Sequence, residues 1–184
     1  MVRDLSLNLL DLARNSLEAG AAHLSLLVRE TKAECFLTVT DDGCGMPEEM
    51  LTRVTDPFFT TRTARRVGLG IPLLKMAAER TGGEFSVTSQ CGMAEGEHGT
   101  KVTARFRKDS VDMPPLGDVI STVCTVIQGA EESGTVVIFR HDRPEGTVLL
   151  DTGEVQEVLG TEVPLSSYTV LQWVKQELTE QYRA

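Results

Sequence analysis

The stretch at residues 41–46, Asp-Asp-Gly-Cys-Gly-Met, constrains the fold of this chain more than any other. It follows an apolar, alternating run at 35–40, which predicts a β-strand. Asp41 therefore stands at the end of a strand, where its carboxylate can accept a hydrogen bond from a donor such as an exocyclic amine. Gly43 and Gly45 lack a Cβ, so the backbone can turn sharply and approach a ligand closely. An ordinary turn has the same pattern, and the neighbouring segments decide between the two interpretations.

The composition limits the classes of function that the chain can have. A length of 184 residues is enough for one domain core with an appendage. A net charge of −9 argues against a nucleic-acid-binding surface. No apolar run approaches the ~20 residues of a membrane span, and the N-terminal pattern does not fit a signal peptide. We therefore expect a cytoplasmic protein that binds neither nucleic acid nor membranes.

Residues 2–19 are predicted to form a helix because leucines recur at helical spacing. A polar stripe with spacings of three and four shares one face of that helix. The stripe is either an ordinary solvated face or a face toward a ligand. In the second interpretation Asp11 orients or deprotonates water, and Asn15, one turn later, offers an amide oxygen to a hard cation such as magnesium. The stripe consists of Asp4, Asn8, Asp11, Asn15 and Glu18.

Two further segments carry weak signals for phosphate binding. Residues 56–66 contain two aromatic residues and three arginines with little periodicity. This segment is either a solvated loop or a mobile lid whose arginines meet phosphates. Gly68 and Gly70 then open a helix that runs to about Arg80, where backbone N–H groups and the helix dipole favour an anion.

The remaining elements suggest a first part, residues 1–108, and an extension, residues 109–184. Strands at 23–29 and 35–40 are expected to pair as a hairpin, and strands at 84–89 and 101–108 close the first part. The extension is predicted to contain a helix, a hairpin and a helix, after a linker at 109–115. About 75 residues make a marginal core alone. We therefore expect the extension to pack onto the first part.

Taken in order, these signals resemble the ATP-binding domain shared by gyrase, the Hsp90 chaperone, histidine kinases and the mismatch-repair protein MutL. Residues 11–21 resemble the first motif of that family, and residues 41–46 resemble the next. Residues 56–61 are similar to the kinase phenylalanine motif, and residues 67–71 to its second glycine motif. The resemblance covers residues 1–108. It implies an α+β, Bergerat-type two-layer sandwich with helices on one face of a mixed sheet and a C-terminal α/β extension.

The resemblance also implies ATP and Mg²⁺ as cofactors and a set of site residues. Asp41 would accept from the adenine amino group, Thr100 would touch adenine, and Asn15 would hold magnesium. Arg62, or Arg65 or Arg66, would meet the phosphates. The matching motifs further place these residues in the site: Gly43, Gly45, Met46, Phe58, Gly68, Leu69 and Gly70.

Two departures from the family bear on activity. Members that hydrolyse ATP carry a glutamate four residues before the asparagine, and this chain has Asp11 there. Its carboxylate is drawn back by roughly a bond length, and a misplacement of about 1 Å can cost about a hundredfold in rate. Conventional histidine kinases also carry a helical hairpin with a phosphoacceptor histidine before this domain. None of His23, His98 and His141 lies on such a helix, so autophosphorylation in the usual manner is not expected.

Three functions remain open at this point. The first is an ATP-binding switch or kinase that acts on a protein partner in trans, with the extension docking the partner or completing a homodimer. The second is a nucleotide-gated binding module without turnover. The third is a MutL-like ATPase with Asp11 as the base.

Overall fold

The computed structural model describes residues 4–56, 70–92 and 98–184, and these form six helices and six strands. In chain order they are α1 (Leu5–Glu18), β1 (His23–Glu30), β2 (Glu34–Asp41), α2 (Glu48–Arg53), α3 (Gly70–Arg80), β3 (Glu84–Gln90), β4 (Gly99–Arg107), α4 (Val119–Glu131), β5 (Val136–Arg143), β6 (Gly146–Asp151), α5 (Thr152–Leu159) and α6 (Tyr168–Arg183).

The strands form one mixed sheet in the order β3-β4-β2-β1-β5-β6. The predicted hairpin of β1 and β2 is confirmed, since the two strands pair in antiparallel register with Leu24 opposite Asp41. On the other side of β2, strand β4 is also antiparallel and places Thr100 opposite Asp41. Strand β5 runs parallel to β1. The sheet therefore has two distinct ends, and Asp41 and Thr100 lie at the same one.

One face of the sheet is buried beneath helices, which confirms the predicted two-layer α+β sandwich. Alternate side chains of the strands point to this inner face, as a half-buried sheet requires. Examples are Leu26, Leu37 and Phe139, all fully buried, whereas the outward side chains of Ser25 and Thr38 keep partial exposure. Helices α1, α3 and α4 pack on the inner face, and α6 packs against α4 and β6.

Helix α1 starts where Asp4 accepts a hydrogen bond from the backbone N–H of Leu7 at 2.9 Å. It ends before Gly20, whose φ of 72° is the left-handed conformation that glycine adopts easily. The predicted polar stripe is solvated only in part. Asp11 and Asn15 are exposed, but Asn8 is buried and donates to the backbone oxygen of Asp4 at 3.0 Å.

The extension continues the sheet of the first 108 residues rather than forming a sheet of its own. Strands β5 and β6 add to the edge of β1, and helix α4 packs against α1. The prediction of a helix, a hairpin and a helix for the extension was incomplete, because it missed helix α5 between β6 and α6. Its start has little helical character in the sequence, but Asp151 caps it by accepting from the backbone N–H of Gly153 at 2.8 Å.

Among the described residues, no helix combines the length and apolar character needed to cross a membrane. The four cysteines are free thiols, of which Cys35 is buried and Cys44 and Cys91 are exposed.

Candidate functional site

Asp41 lies at the end of β2 on the inner face of the sheet, and two donors fix its carboxylate. The hydroxyl of Ser16 on α1 donates to Oδ2 at 2.5 Å, and the backbone N–H of Gly43 donates to Oδ1 at 3.0 Å. An ionised carboxylate offers about four acceptor positions, so these two bonds orient it without saturating it. A fixed acceptor with spare capacity is what recognition of an amino group requires.

Ser16 was missed by the sequence analysis, although a signal for it exists. It is a buried polar residue on the apolar side of α1, where its hydroxyl oxygen also lies 3.3 Å from the backbone oxygen of Leu12. A small polar side chain among leucines on a core-facing helix surface requires a partner. That partner, Asp41, is 25 residues away and becomes visible only in the fold.

The turn after Asp41 packs more closely on the protein than a side chain allows. A Cβ on Gly43 would lie 2.8 Å from the Cβ of Ala19, at the end of α1. A Cβ on Gly45, whose φ is 67°, would lie 1.8 Å from the backbone oxygen of Gln90. The predicted glycines therefore serve a close backbone approach, but at both positions the neighbour in this structure is the protein itself.

Thr100 faces Asp41 across the sheet, and its hydroxyl bonds to Ser89 Oγ at 2.8 Å. Ser89 donates its own proton to the backbone oxygen of Gly99 at 2.9 Å and accepts from the backbone N–H of Met46 at 2.8 Å. Since a hydroxyl has one proton, Thr100 must be the donor in its bond to Ser89. Its oxygen is then an acceptor toward the site. Ser89, a second residue that sequence reasoning missed, thereby ties Met46 to Thr100.

Asp11 and Asn15 lie on the exposed side of α1, one turn apart as predicted. Gly70, the first residue of α3, lies against Asp11, since a Cβ on Gly70 would be 3.2 Å from the Asp11 Cβ. The structure therefore brings Asp11 to the start of α3. The predicted site residues Phe58, Arg62, Gly68 and Leu69 lie outside the described residues, as do Arg65 and Arg66.

Asp42, the neighbour of Asp41, belongs to a different arrangement. It accepts from the backbone N–H of His23 at 2.8 Å and pairs with His23 Nδ1 at 2.7 Å. Burial acts to raise the pKa of Asp42, but the hydrogen bonds from His23 outweigh it and hold that pKa below its ordinary value. The two adjacent carboxylates are thus distinct, and only Asp41 contacts Ser16.

A magnesium site need not contain a cluster of protein ligands. The described residues contain no group of three or more histidine, cysteine, aspartate or glutamate side chains placed to hold a metal ion. Mg²⁺ usually keeps several waters and takes one or two protein oxygens together with substrate phosphates. The magnesium predicted at Asn15 would be held in that manner, by one amide oxygen from the protein.

A separate cavity of about 130 Å³ lies between α4, β5 and α5. Ile127, Thr135 and Gln156 are among its lining residues, and none of the predicted site residues belongs to it. It is not the predicted nucleotide site.

Comparison with known proteins places the chain in a family. A family model described as histidine kinase-, DNA gyrase B- and HSP90-like ATPase matches residues 1–110. The chain therefore belongs to this ATPase family, which confirms the resemblance that the motifs indicated.

Proteins similar in sequence include histidine kinases and a sporulation kinase, and one solved structure shares the fold. The sensor histidine kinase ZraS of Escherichia coli K12 is 35% identical over 46% of this chain and 18% of its own length. Sporulation kinase C of Bacillus subtilis is 27% identical over 45% of this chain and 20% of its own length. This chain thus spans about a fifth of these kinases. The N-terminal domain of a DNA repair protein superposes with a TM-score of 0.58 at 12% identity, over 87% of this chain and 58% of that one, which shows a shared fold.

Proposed function

We propose that this chain binds ATP with Mg²⁺ at the Asp41 end of the sheet and acts on a protein partner in trans, as a kinase or an ATP-dependent switch. The observation that carries the proposal is the Asp41 carboxylate. Ser16 and Gly43 orient it, and it shares the helix-covered face of the sheet with the acceptor oxygen of Thr100. Such a carboxylate selects a ligand with an exocyclic amino group, as adenine has.

The phosphates would extend from this point along α1. Asp11 precedes Ser16 by five residues, which is about 7 Å along a helix axis. Its contact with Gly70 puts it at the start of α3, where exposed N–H groups and the helix dipole favour an anion. Mg²⁺, when bound, neutralises phosphate charge in such a site. Asn15 supplies an uncharged oxygen for it, and Asp11 supplies a charged one.

A second candidate is ATP hydrolysis with Asp11 as the general base. The position of Asp11 beside Gly70 favours it, because an exposed carboxylate at the phosphate end can orient water. Against it stands the short reach of aspartate compared with glutamate, which lowers the rate of water attack. Transfer to a side chain of another protein needs no such base. We therefore rank action on a partner first.

The names of the relatives favour a kinase, but they describe much longer proteins. We propose that residues 1–108 form the ATP-binding part and that residues 109–184 contact the partner or a second copy of the chain.

The fate of γ-labelled ATP with magnesium tests the proposal. The pure protein is expected to leave the label in ATP. The protein mixed with cell extract is expected to transfer the label to one protein band. Free phosphate from the pure protein, lost in Asp11→Asn and increased in Asp11→Glu, would replace the proposal with hydrolysis. Label that stays in ATP in both samples, despite measurable binding, would leave a nucleotide-gated binding module.

A further inference from the structure

His98 lies immediately before Gly99 and Thr100 and contacts the turn that carries Asp41. Its Nδ1 is 2.8 Å from the backbone oxygen of Gly43, and its side chain is half-buried. A carbonyl oxygen only accepts hydrogen bonds, so Nδ1 carries the proton in this contact. The contact therefore makes Nδ1 the donor nitrogen of the ring.

The bond from His98 completes a clamp on one peptide unit. The oxygen of Gly43 and the N–H of Cys44 belong to the same peptide. The N–H of Cys44 donates to the backbone oxygen of Ala19 at 2.9 Å, at the end of α1. The peptide is thus held on one side by α1 and on the other by His98, at the start of β4. Bonds in series through one peptide polarise one another.

The preceding peptide joins this clamp to Asp41. The N–H of Gly43 donates to Asp41 Oδ1 at 3.0 Å, and a Cβ on Gly43 would lie 3.1 Å from that same oxygen. The Gly43 Cα joins the two peptides, so the bonds that hold the 43–44 peptide also fix one side of the residue whose N–H orients the carboxylate. Ser16 holds only the other oxygen, Oδ2.

We propose that His98 is a positioning residue for the adenine end of the nucleotide site. It acts through the Gly43–Cys44 peptide and holds the Asp41 carboxylate in the orientation that accepts from the adenine amino group. The inference rests on the proposed function. It assigns the role to a residue that does not itself touch the ligand.

The test compares nucleotide affinities of full-chain variants by calorimetry. His98→Leu removes the donor, and we expect ATP, ADP and adenosine to bind about five- to tenfold more weakly, by one common factor, because all three share the base. His98→Asn, whose Nδ2 stands about where imidazole Nδ1 does, is expected to restore affinity to within about twofold. His98→Gln, with its amide one methylene further out, is expected to bind less tightly than His98→Asn.

A matched control is Thr38→Val. It removes a hydroxyl that contacts Thr103 at 3.3 Å. Thr38 and Thr103 lie on β2 and β4, the strands that carry Asp41 and Thr100, but on the outer face of the sheet. Its affinity for ATP is expected to stay unchanged.

The outcomes separate this inference from the proposed function. His98→Leu with unaltered affinity, alongside Asp41→Ala with lost affinity, would overturn the inference alone. Equal weakening by His98→Leu and His98→Asn would also overturn it, because the hydrogen bond would then not be the cause. No ATP binding by the unsubstituted chain would overturn both. If His98→Leu does not fold, the comparison of His98→Asn with His98→Gln decides whether the hydrogen bond at this position supports nucleotide affinity.

Discussion

The two ends of the same sheet both carry polar side chains on the buried face, but they differ in how fully those side chains are paired. At one end, Asp41 receives two hydrogen bonds and faces the acceptor oxygen of Thr100. At the other end, a continuous series of contacts links four side chains: Lys108, Glu30, His141 and Tyr182. Lys108 donates to Glu30 Oε2 at 2.7 Å, and His141 contacts Glu30 Oε1 at 3.1 Å and the Tyr182 hydroxyl at 2.8 Å.

The protonation states of this second cluster are set by burial and by its charges. Burial lowers the pKa of His141 more than Glu30 raises it, and burial raises the pKa of Tyr182 to about 12. Burial acts to raise the pKa of Glu30 as well, but Lys108 and His141 outweigh it and hold that pKa below its ordinary value. Glu30 is then an ionised acceptor, His141 a neutral donor through Nε2, and Tyr182 a donor to Nδ1.

This difference separates a candidate binding site from a structural cluster. In the cluster, His141 is bonded through both ring nitrogens, one to Glu30 and one to Tyr182 of α6. Asp41 keeps acceptor capacity, and its turn is shaped by close backbone contacts. We therefore expect substitutions at the Asp41 end to change nucleotide affinity, and those at the Glu30 end to change stability.

Among substitutions that keep Asp41, the largest effect on affinity is expected for Gly45→Ala. The new Cβ would lie 1.8 Å from the backbone oxygen of Gln90, so the turn must move. The Gly43 N–H that orients the Asp41 carboxylate lies in the same turn and moves with it. A hydrogen bond to a charged group is worth up to about 3 kcal/mol, so we expect ATP to bind more than about 100-fold more weakly. Calorimetric titration with ATP measures this.

Gly134→Ala is the matched control for backbone strain. Gly134 has a φ of 66°, close to that of Gly45, but a Cβ there would meet nothing within 4 Å. It is expected to cost about 1 kcal/mol of stability with no change in ATP affinity. Equal affinities in the two variants would show that close packing of the turn is unimportant for the site.

A large effect on stability is expected for His141→Leu, at the opposite end. The substitution leaves Glu30 and Tyr182 without their shared partner, and an unsatisfied buried group costs about 1 to 3 kcal/mol. Urea unfolding is expected to show that loss, while ATP affinity stays within about twofold. Strongly weakened ATP binding in a folded His141→Leu protein would break the proposed separation of the two ends.

A smaller effect is expected on the pH dependence of stability. The pKa of His141 is lowered in the folded chain from its ordinary value of 6.5, so the unfolded chain takes up a proton first. The stability that His141 contributes is therefore complete above about pH 6.5 and decreases as the pH falls below it. The carboxylates with lowered pKa, Glu30 and Asp42, contribute in the same direction but only at lower pH.

Urea unfolding at several pH values between about 5 and 7.5 checks this sign. The decrease below about pH 6.5 is expected to be smaller in His141→Leu than in the unsubstituted chain. An identical decrease in both proteins would mean that His141 does not cause it.

Local patterns in the sequence predicted most of the fold and placed Asp41 at the end of a strand. Alternation of apolar residues identified β1 and β2, and Asp41 could be placed because it directly follows such a run. Helix α5 could not be predicted, because its start depends on capping by Asp151 and not on apolar periodicity. Ser16, Ser89 and His98 were missed for another reason. Their partners are 25, 11 and 55 residues away in the chain, and only strand pairing and the packing of α1 on the sheet bring them together.

The central claim is that Asp41 is the adenine-recognising carboxylate, and ATP affinity of Asp41→Ala beside Asp42→Ala tests it most directly. Asp42 is the neighbouring acid, but it pairs with His23 instead of Ser16. We expect Asp41→Ala to abolish ATP binding, and Asp42→Ala to leave it nearly unchanged. A change of less than about threefold in Asp41→Ala, roughly 0.6 kcal/mol, would contradict the assignment.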